Sequence, residues 1–187
     1  MEQIQIIRSR RKTICLQITP EGGILVRAPM GMPQRNISAF LREKSGWIQT
    51  HQEKLRVQRE LAQQDALTRE DLKRLAWQAK AAIPPRVKYF AGQMGVDYGR
   101  ITVRCQTSRW GSCSAKGNLN FNCLLMLSPP EVLDYVVVHE LAHRRQMNHS
   151  AAFWAEVEAV LPDYSLRKQW LKEQGGVLMA RLRAMEE

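Results

Sequence analysis

The chain reads as an α+β protein, and three observations carry that reading. Residues 3–28 alternate apolar and polar side chains. Residues 101–105 and 118–124 form a second pair of strand-like runs. The segments between and after them repeat apolar residues at helical spacing. The expected organisation is an N-terminal region, 1–65, of β-strands plus helices and rich in basic residues. A larger domain, 66–187, follows, in which a helix carrying His139–His143 lies against an antiparallel sheet.

The elements follow in order. Ile4 and Ile6, then Ile14, Leu16 and Ile18, then Ile24 and Val26 mark three strands, with Gly22-Gly23 as a turn. Pro33 opens a helix, and a second helix carries Trp47, Ile48, His51 and Leu55. The polar, Gln-rich stretch 58–67 reads as a linker. Thr68 with Asp71 is a helix cap, and Leu72, Leu75 and Ala79 continue that helix until Pro84-Pro85 breaks or kinks it. Helix resumes to Gly95. Two strands joined by the Arg109–Gly117 loop come next. Ser128-Pro129-Pro130-Glu131 fits a capping box, after which Val132, Tyr135, Val136, His139, Ala142 and His143 share one helical stripe. Ser150 caps a helix with Phe153, Val157 and Leu161 on one face. Pro162 stops it, and a last helix runs to the chain end. No internal repeat is visible.

The chemistry concentrates at 139–149. His139 and His143 stand one turn apart on one helix face, where both rings can reach a single zinc ion at about 2.0–2.1 Å. Glu140 sits beside that position, where it can take a proton from a metal-activated water. His149 follows a turn, Arg144 to Asn148, that contains no Gly; Asn148 is its most permissive residue for a left-handed conformation. Glu156, Glu158 and Asp163 are rival third ligands.

Val136 to His143, Asn148-His149-Ser150, Phe153-Trp154 and Pro162-Asp163-Tyr164 resemble the YgjP-like metallopeptidase family, which is similar to the WLM and SprT metalloproteases. Arg109-Trp110-Gly111-Ser112-Cys113-Ser114, Gly117 and Asn118 to Asn122 extend the resemblance. So do Arg8 to Lys12, Val26 to Pro29 and Trp47-Ile48. The resemblance implies a zincin-like fold, a polypeptide substrate and one Zn2+ per chain on His139, His143 and His149, with Glu140 as the catalytic base. An edge strand over the active-site helix would take an extended peptide by strand addition. Arg109, Trp110, Asn120 and Tyr164 are candidate substrate-binding residues, with Arg109 and Tyr164 also candidate oxyanion donors. The same resemblance admits a metal-dependent nucleotide pyrophosphohydrolase.

Composition fits a soluble, cytoplasmic enzyme. A hydrophobic fraction of 44% suffices for a buried core. No apolar run approaches the roughly 20 residues of a membrane helix, and no secretory h-region is present. Cys15, Cys105, Cys113 and Cys123 form no CxxC pair and read as reduced thiols. The net charge of +10 draws on Arg8, Arg10, Arg11 and Lys12; on Arg42, Lys44, Lys54, Arg56 and Arg59; and on Arg144 and Arg145. Such an excess attracts polyanions, so a nucleic-acid-associated zinc-binding module is the third reading. No nucleic-acid-binding motif accompanies it.

Overall fold

Three strands of the first unit form a sheet whose order is β1-β3-β2: β1 (Ile4–Ser9), β2 (Cys15–Ile18) and β3 (Ile24–Pro29). The computed structural model describes residues 4–185, so residue 3 of the expected first strand and the last two residues lie outside it. The chain divides into two compact units, one ending at Leu61 and one beginning at Ala62.

In the first unit, β3 is parallel to β1 and antiparallel to β2. The period of two buries Ile24, Val26 and Ala28 on one face, where Ile37 and Ile48 complete a small core. Ile37 belongs to α1 (Gln34–Glu43), and Ile48 to α2 (Ser45–Gln64). The expected linker is therefore helical as far as Gln64. Arg56 pairs with Glu53 and Glu60 along that stretch, so a sequence that looks only polar is laced at helical spacing.

The second unit is built on α3 (Arg69–Met94). Its capping box forms: Asp71 N donates to Thr68 Oγ1 at 3.1 Å, and Thr68 N donates to Asp71 Oδ2 at 3.0 Å. Gly95, at φ 62°, ends it in the left-handed region. The helix is unbroken at Pro84 and Pro85, against expectation. Leu75, Ala79, Ile83, Val87, Phe90 and Met94 are all buried, and that continuous apolar face outweighs the lost backbone donors.

A second three-stranded sheet has the order β4-β6-β5: β4 (Ile101–Arg104), β5 (Gly111–Cys113) and β6 (Leu119–Asn122). The sheet expected to be antiparallel is mixed, because β6 is antiparallel to β5 but parallel to β4. β5 lies within the expected Arg109–Gly117 loop. The parallel register sets Arg104 against Asn122. The next residues, Cys105 and Cys123, thus meet at a Cα separation of 5.4 Å and form a disulfide. The expectation of four reduced thiols is corrected to two free ones, Cys15 and Cys113. Strand register brought the pair together, and sequence spacing carries no sign of it.

After a 3-10 turn (Cys123–Leu127) comes α4 (Pro130–Ala142). Pro129 is its N-cap, and Ser128 instead donates its hydroxyl to the Leu125 carbonyl at 2.7 Å, so the expected Ser128 capping box does not form. Buried residues surround α4, from Val132 to Ala142, and make it the central helix of the unit. A forked pair between Arg86 and Asp134, at 2.7 and 2.6 Å, ties it to α3. α5 (Ala151–Val160) begins at Ser150, whose Oγ accepts from Phe153 N, and α6 (Tyr164–Arg183) closes the unit.

Candidate active site

α4 ends at Ala142, so His139 and Glu140 stand in its last turn and His143 at its C-cap. The chain then tightens on itself: Arg145 N and Gln146 N both donate to the Ala142 carbonyl. Among the described residues only glycines take a positive φ, so the turn closes without using the left-handed conformation that Asn148 would most readily permit. Asn148 Oδ1 instead accepts from Ser150 N at 3.3 Å, fixing His149 at the start of α5.

The turn brings three imidazoles together. One nitrogen from each of His139, His143 and His149 lies within 4.8 Å of the other two. His139 Nε2 and His149 Nε2 are 3.1 Å apart. Two ligands of a tetrahedral zinc at about 2.0–2.1 Å stand about 3.3 Å apart, so the spacing fits that ion. His143 Nδ1 lies 3.0 Å from the Gln146 carbonyl. A carbonyl only accepts, so Nδ1 carries the hydrogen and Nε2 is left with its lone pair for a metal. The second nitrogen of His139, Nδ1, is buried without a partner.

Burial, helped by the neighbouring His143, His149 and Lys168 charges, pushes the His139 pKa down to about 3. Burial also lowers that of His143. These two rings are thus biased to the neutral, ligating form. Phe153 underlies all three, with ring centroids 4.7–4.9 Å away.

Glu140 is only 5% exposed, although it is charged in water. Burial raises its pKa to about 8, against an opposing pull from Arg109. Its carboxylate lies flat against β5. A Cβ placed on Gly111 would come within 2.6 Å of Glu140 Oε1 and 2.7 Å of Cγ, so any side chain there would evict the carboxylate. Together the three His, Glu140, Met147 and β5 enclose a cavity of about 270 Å³.

The other expected residues are placed as follows. The Trp110 ring packs against Gly175 of α6, whose Cβ would lie 3.0 Å from it, so Trp110 locks the loop and does not line the cavity. Arg109 is exposed, and its carbonyl accepts from Asn122 Nδ2 at 3.0 Å. Asn120 donates to Ser112 Oγ at 3.2 Å across the sheet. Tyr164 joins a stack with Trp154 and Tyr135, and Trp154 in turn stacks on His149. Of the rival ligands, Glu156 pairs with Arg145 and Asp163 with Arg167. None of the three joins the His cluster among the described residues.

Sequence reasoning missed the roles of three residues at the site. Gly111 was read only as part of a turn block. Asn122 is fully buried and ties the loop together: Nδ2 donates to the carbonyls of Gln106 and Arg109, and Oδ1 accepts from Leu124 N. Its place in the Asn118 to Asn122 block of the resemblance was the one available signal. Lys168, its ammonium 3.9 Å from the Trp154 ring, was also missed.

An α+β fold with a buried Glu-bearing helix and a converged three-His cluster defines a metallohydrolase class of site. The YgjP-like, metallopeptidase domain family model matches residues 12–75 and 63–174. The chain belongs to that family and is a metallopeptidase by family membership. No curated protein matches it. Among solved structures it is similar to the metallopeptidase zymogen of Pyrococcus abyssi abylysin, at 23% identity and TM-score 0.44, over 49% of this chain and 95% of that one. It is also similar to the metallopeptidase zymogen of Methanocaldococcus jannaschii jannalysin, at 21% identity and TM-score 0.42, over 48% and 91%. No described helix is long and apolar enough to cross a membrane.

Proposed function

We propose that this chain is a zinc-dependent peptidase in which His139, His143 and His149 hold one Zn2+ and Glu140 is the catalytic base. The observation that carries the reading is the convergence of three imidazoles beside a buried carboxylate in one open cavity. A zinc ion bound there would polarise a substrate carbonyl and lower the pKa of water. Glu140 accepts the proton that water loses and returns it to the leaving amine. Gly111 leaves room for the Glu140 carboxylate against β5, where it is only 5% exposed.

β5 is an edge strand, so its outer side is available to an extended peptide beside Glu140. Strand addition there would bind backbone with little demand on side-chain sequence. The edge strand of this reading is Gly111–Cys113, and the Asn118–Asn122 run, expected as part of the sheet, supplies its central strand. Among the described residues the cavity lining itself holds no Lys or Arg, while Arg109, Arg144 and Lys168 stand just outside it, close enough to act on Glu140, Cys113 and His139. Three protein ligands with an open side weigh against a purely structural zinc, which normally has four.

The test combines metal analysis with turnover. Protein purified without added metal should hold about one zinc per chain and cleave unfolded casein. Glu140→Gln should keep the zinc and lose the cleavage. A fully active Gln variant would end the mechanism.

A further inference from the structure

Away from the metal site, α3 presents a second chemical surface. Trp77 is 74% exposed, the most exposed aromatic ring among the described residues. An exposed indole on a helix offers an open aromatic face on which a partner can stack. Lys73, Lys80 and Lys88 surround it at spacings of −4, +3 and +11, which place all three on the Trp77 face of the helix. All three are exposed, and none forms a salt bridge among the described residues. Arg74, at the same edge, is paired with Asp71. Of the two acidic residues of α3, both in its first turn, Asp71 is paired with Arg74, and Glu70, at a spacing of −7, stands at the N-terminal end of the same face beside Lys73.

This surface differs from the basic clusters that stand out in the sequence. Arg8 donates to the carbonyls of Met30 and Met32, and Arg59 to that of Glu21. Arg56, Arg144 and Arg145 are ion-paired. Those side chains are committed within the fold, but Arg10, Lys12, Arg42 and Lys54 of the same clusters form no ion pair among the described residues, so what sets α3 apart is the more exposed indole among its lysines.

We propose that this face of α3 binds single-stranded nucleic acid, with Trp77 stacked on a base and Lys73, Lys80 and Lys88 on phosphates. From Lys73 to Lys88 the face runs about 22 Å at 1.5 Å per residue, long enough to follow a short stretch of backbone. Unpaired cations supply the phosphate contacts, and a flat aromatic ring between them supplies a platform that every base can use. A duplex would offer the phosphates but no open base face. An acidic polypeptide would use the lysines but leave Trp77 idle. The surface is independent of the His cluster and of any peptidase activity.

The experiment is fluorescence anisotropy of a labelled oligothymidylate of about 12 nucleotides, titrated with the full chain at several salt concentrations. Binding at low salt should weaken as salt rises, with a log–log slope near −2 for about three phosphate contacts at roughly 0.7 each. Trp77→Ala should weaken binding about 5- to 150-fold, since stacking on an aromatic ring is worth about 1–3 kcal/mol per base. Trp77→Phe should restore most of it. The combined Lys73→Gln, Lys80→Gln and Lys88→Gln variant should flatten the salt slope, and Glu140→Gln should bind like the parent. The substituted side chains on α3 are exposed, and circular-dichroism melting checks that each variant folds. Four outcomes would overturn the proposal. They are no binding at low salt, undiminished binding by Trp77→Ala, equal competition by poly-glutamate, or loss of binding in Glu140→Gln.

Discussion

The two sheets of this chain share one topology and put it to different uses. In each, the first strand runs parallel to the third and the second runs antiparallel to it, giving β1-β3-β2 and β4-β6-β5. The centres are alike: Ile24, Val26 and Ala28 are buried on β3, and Leu119 and Phe121 on β6. The edge strands differ. β2, Cys-Leu-Gln-Ile, partners only its sheet and a small aliphatic core. β5, Gly-Ser-Cys, lies on the helix that carries Glu140. Topology therefore does not make the site. A side-chain-free strand laid on a buried acid does.

Four predictions break or sharpen that comparison, from the largest effect to the smallest. Glu140→Gln should lower kcat about 10²- to 10⁴-fold at unchanged zinc content, the usual worth of a general base. Casein turnover and metal analysis on the same preparation decide it. Phe121→Ala should cost about 3–5 kcal/mol of stability, and Val26→Ala distinctly less, because a smaller side chain is lost from a smaller core. Denaturant unfolding monitored in both variants would show the reverse order if the first sheet were the stronger.

His149→Ala should weaken zinc retention, read as a higher dissociation constant in competition with a chelator. Unchanged retention would move the third ligand elsewhere. Gly111→Ala should reduce kcat about 10-fold or more while zinc stays bound, because a misplaced catalytic group loses rate steeply. Cys15→Ala, at the first position of the corresponding edge strand β2, should change neither activity nor stability beyond about 0.5 kcal/mol. Equal effects at the two positions would erase the distinction drawn between the sheets.

The parts of the site that were legible were local. HExxH names three residues within one helical turn or so, and its spacing alone puts His139 and His143 on one face. Helix and strand periods located most other elements, though not β5, and Thr68 with Asp71 marked the start of α3 correctly. The misreadings have physical causes. Ser128 donates its hydroxyl to the preceding Leu125 carbonyl instead of accepting from the N–H groups that open α4. Pro84 and Pro85 were outweighed by a buried face that a local propensity does not register. Residues 58–64 look like linker because they are mostly polar, yet they continue α2, where Glu60 pairs back to Arg56 one turn earlier.

By itself, then, the sequence determined the α+β class, the His-Glu-His helix, and the metallopeptidase family. Each depends on residues close together in the chain, where period and spacing are readable. Tertiary structure alone decided that Gly111 would lie on Glu140, that Asn122 would hold the loop feeding β5, and that Cys105 would meet Cys123. It also decided which basic residues remain unpaired on the surface. These depend on strand order and parallel register, which bring together residues 13 to 29 positions apart with no trace in local pattern.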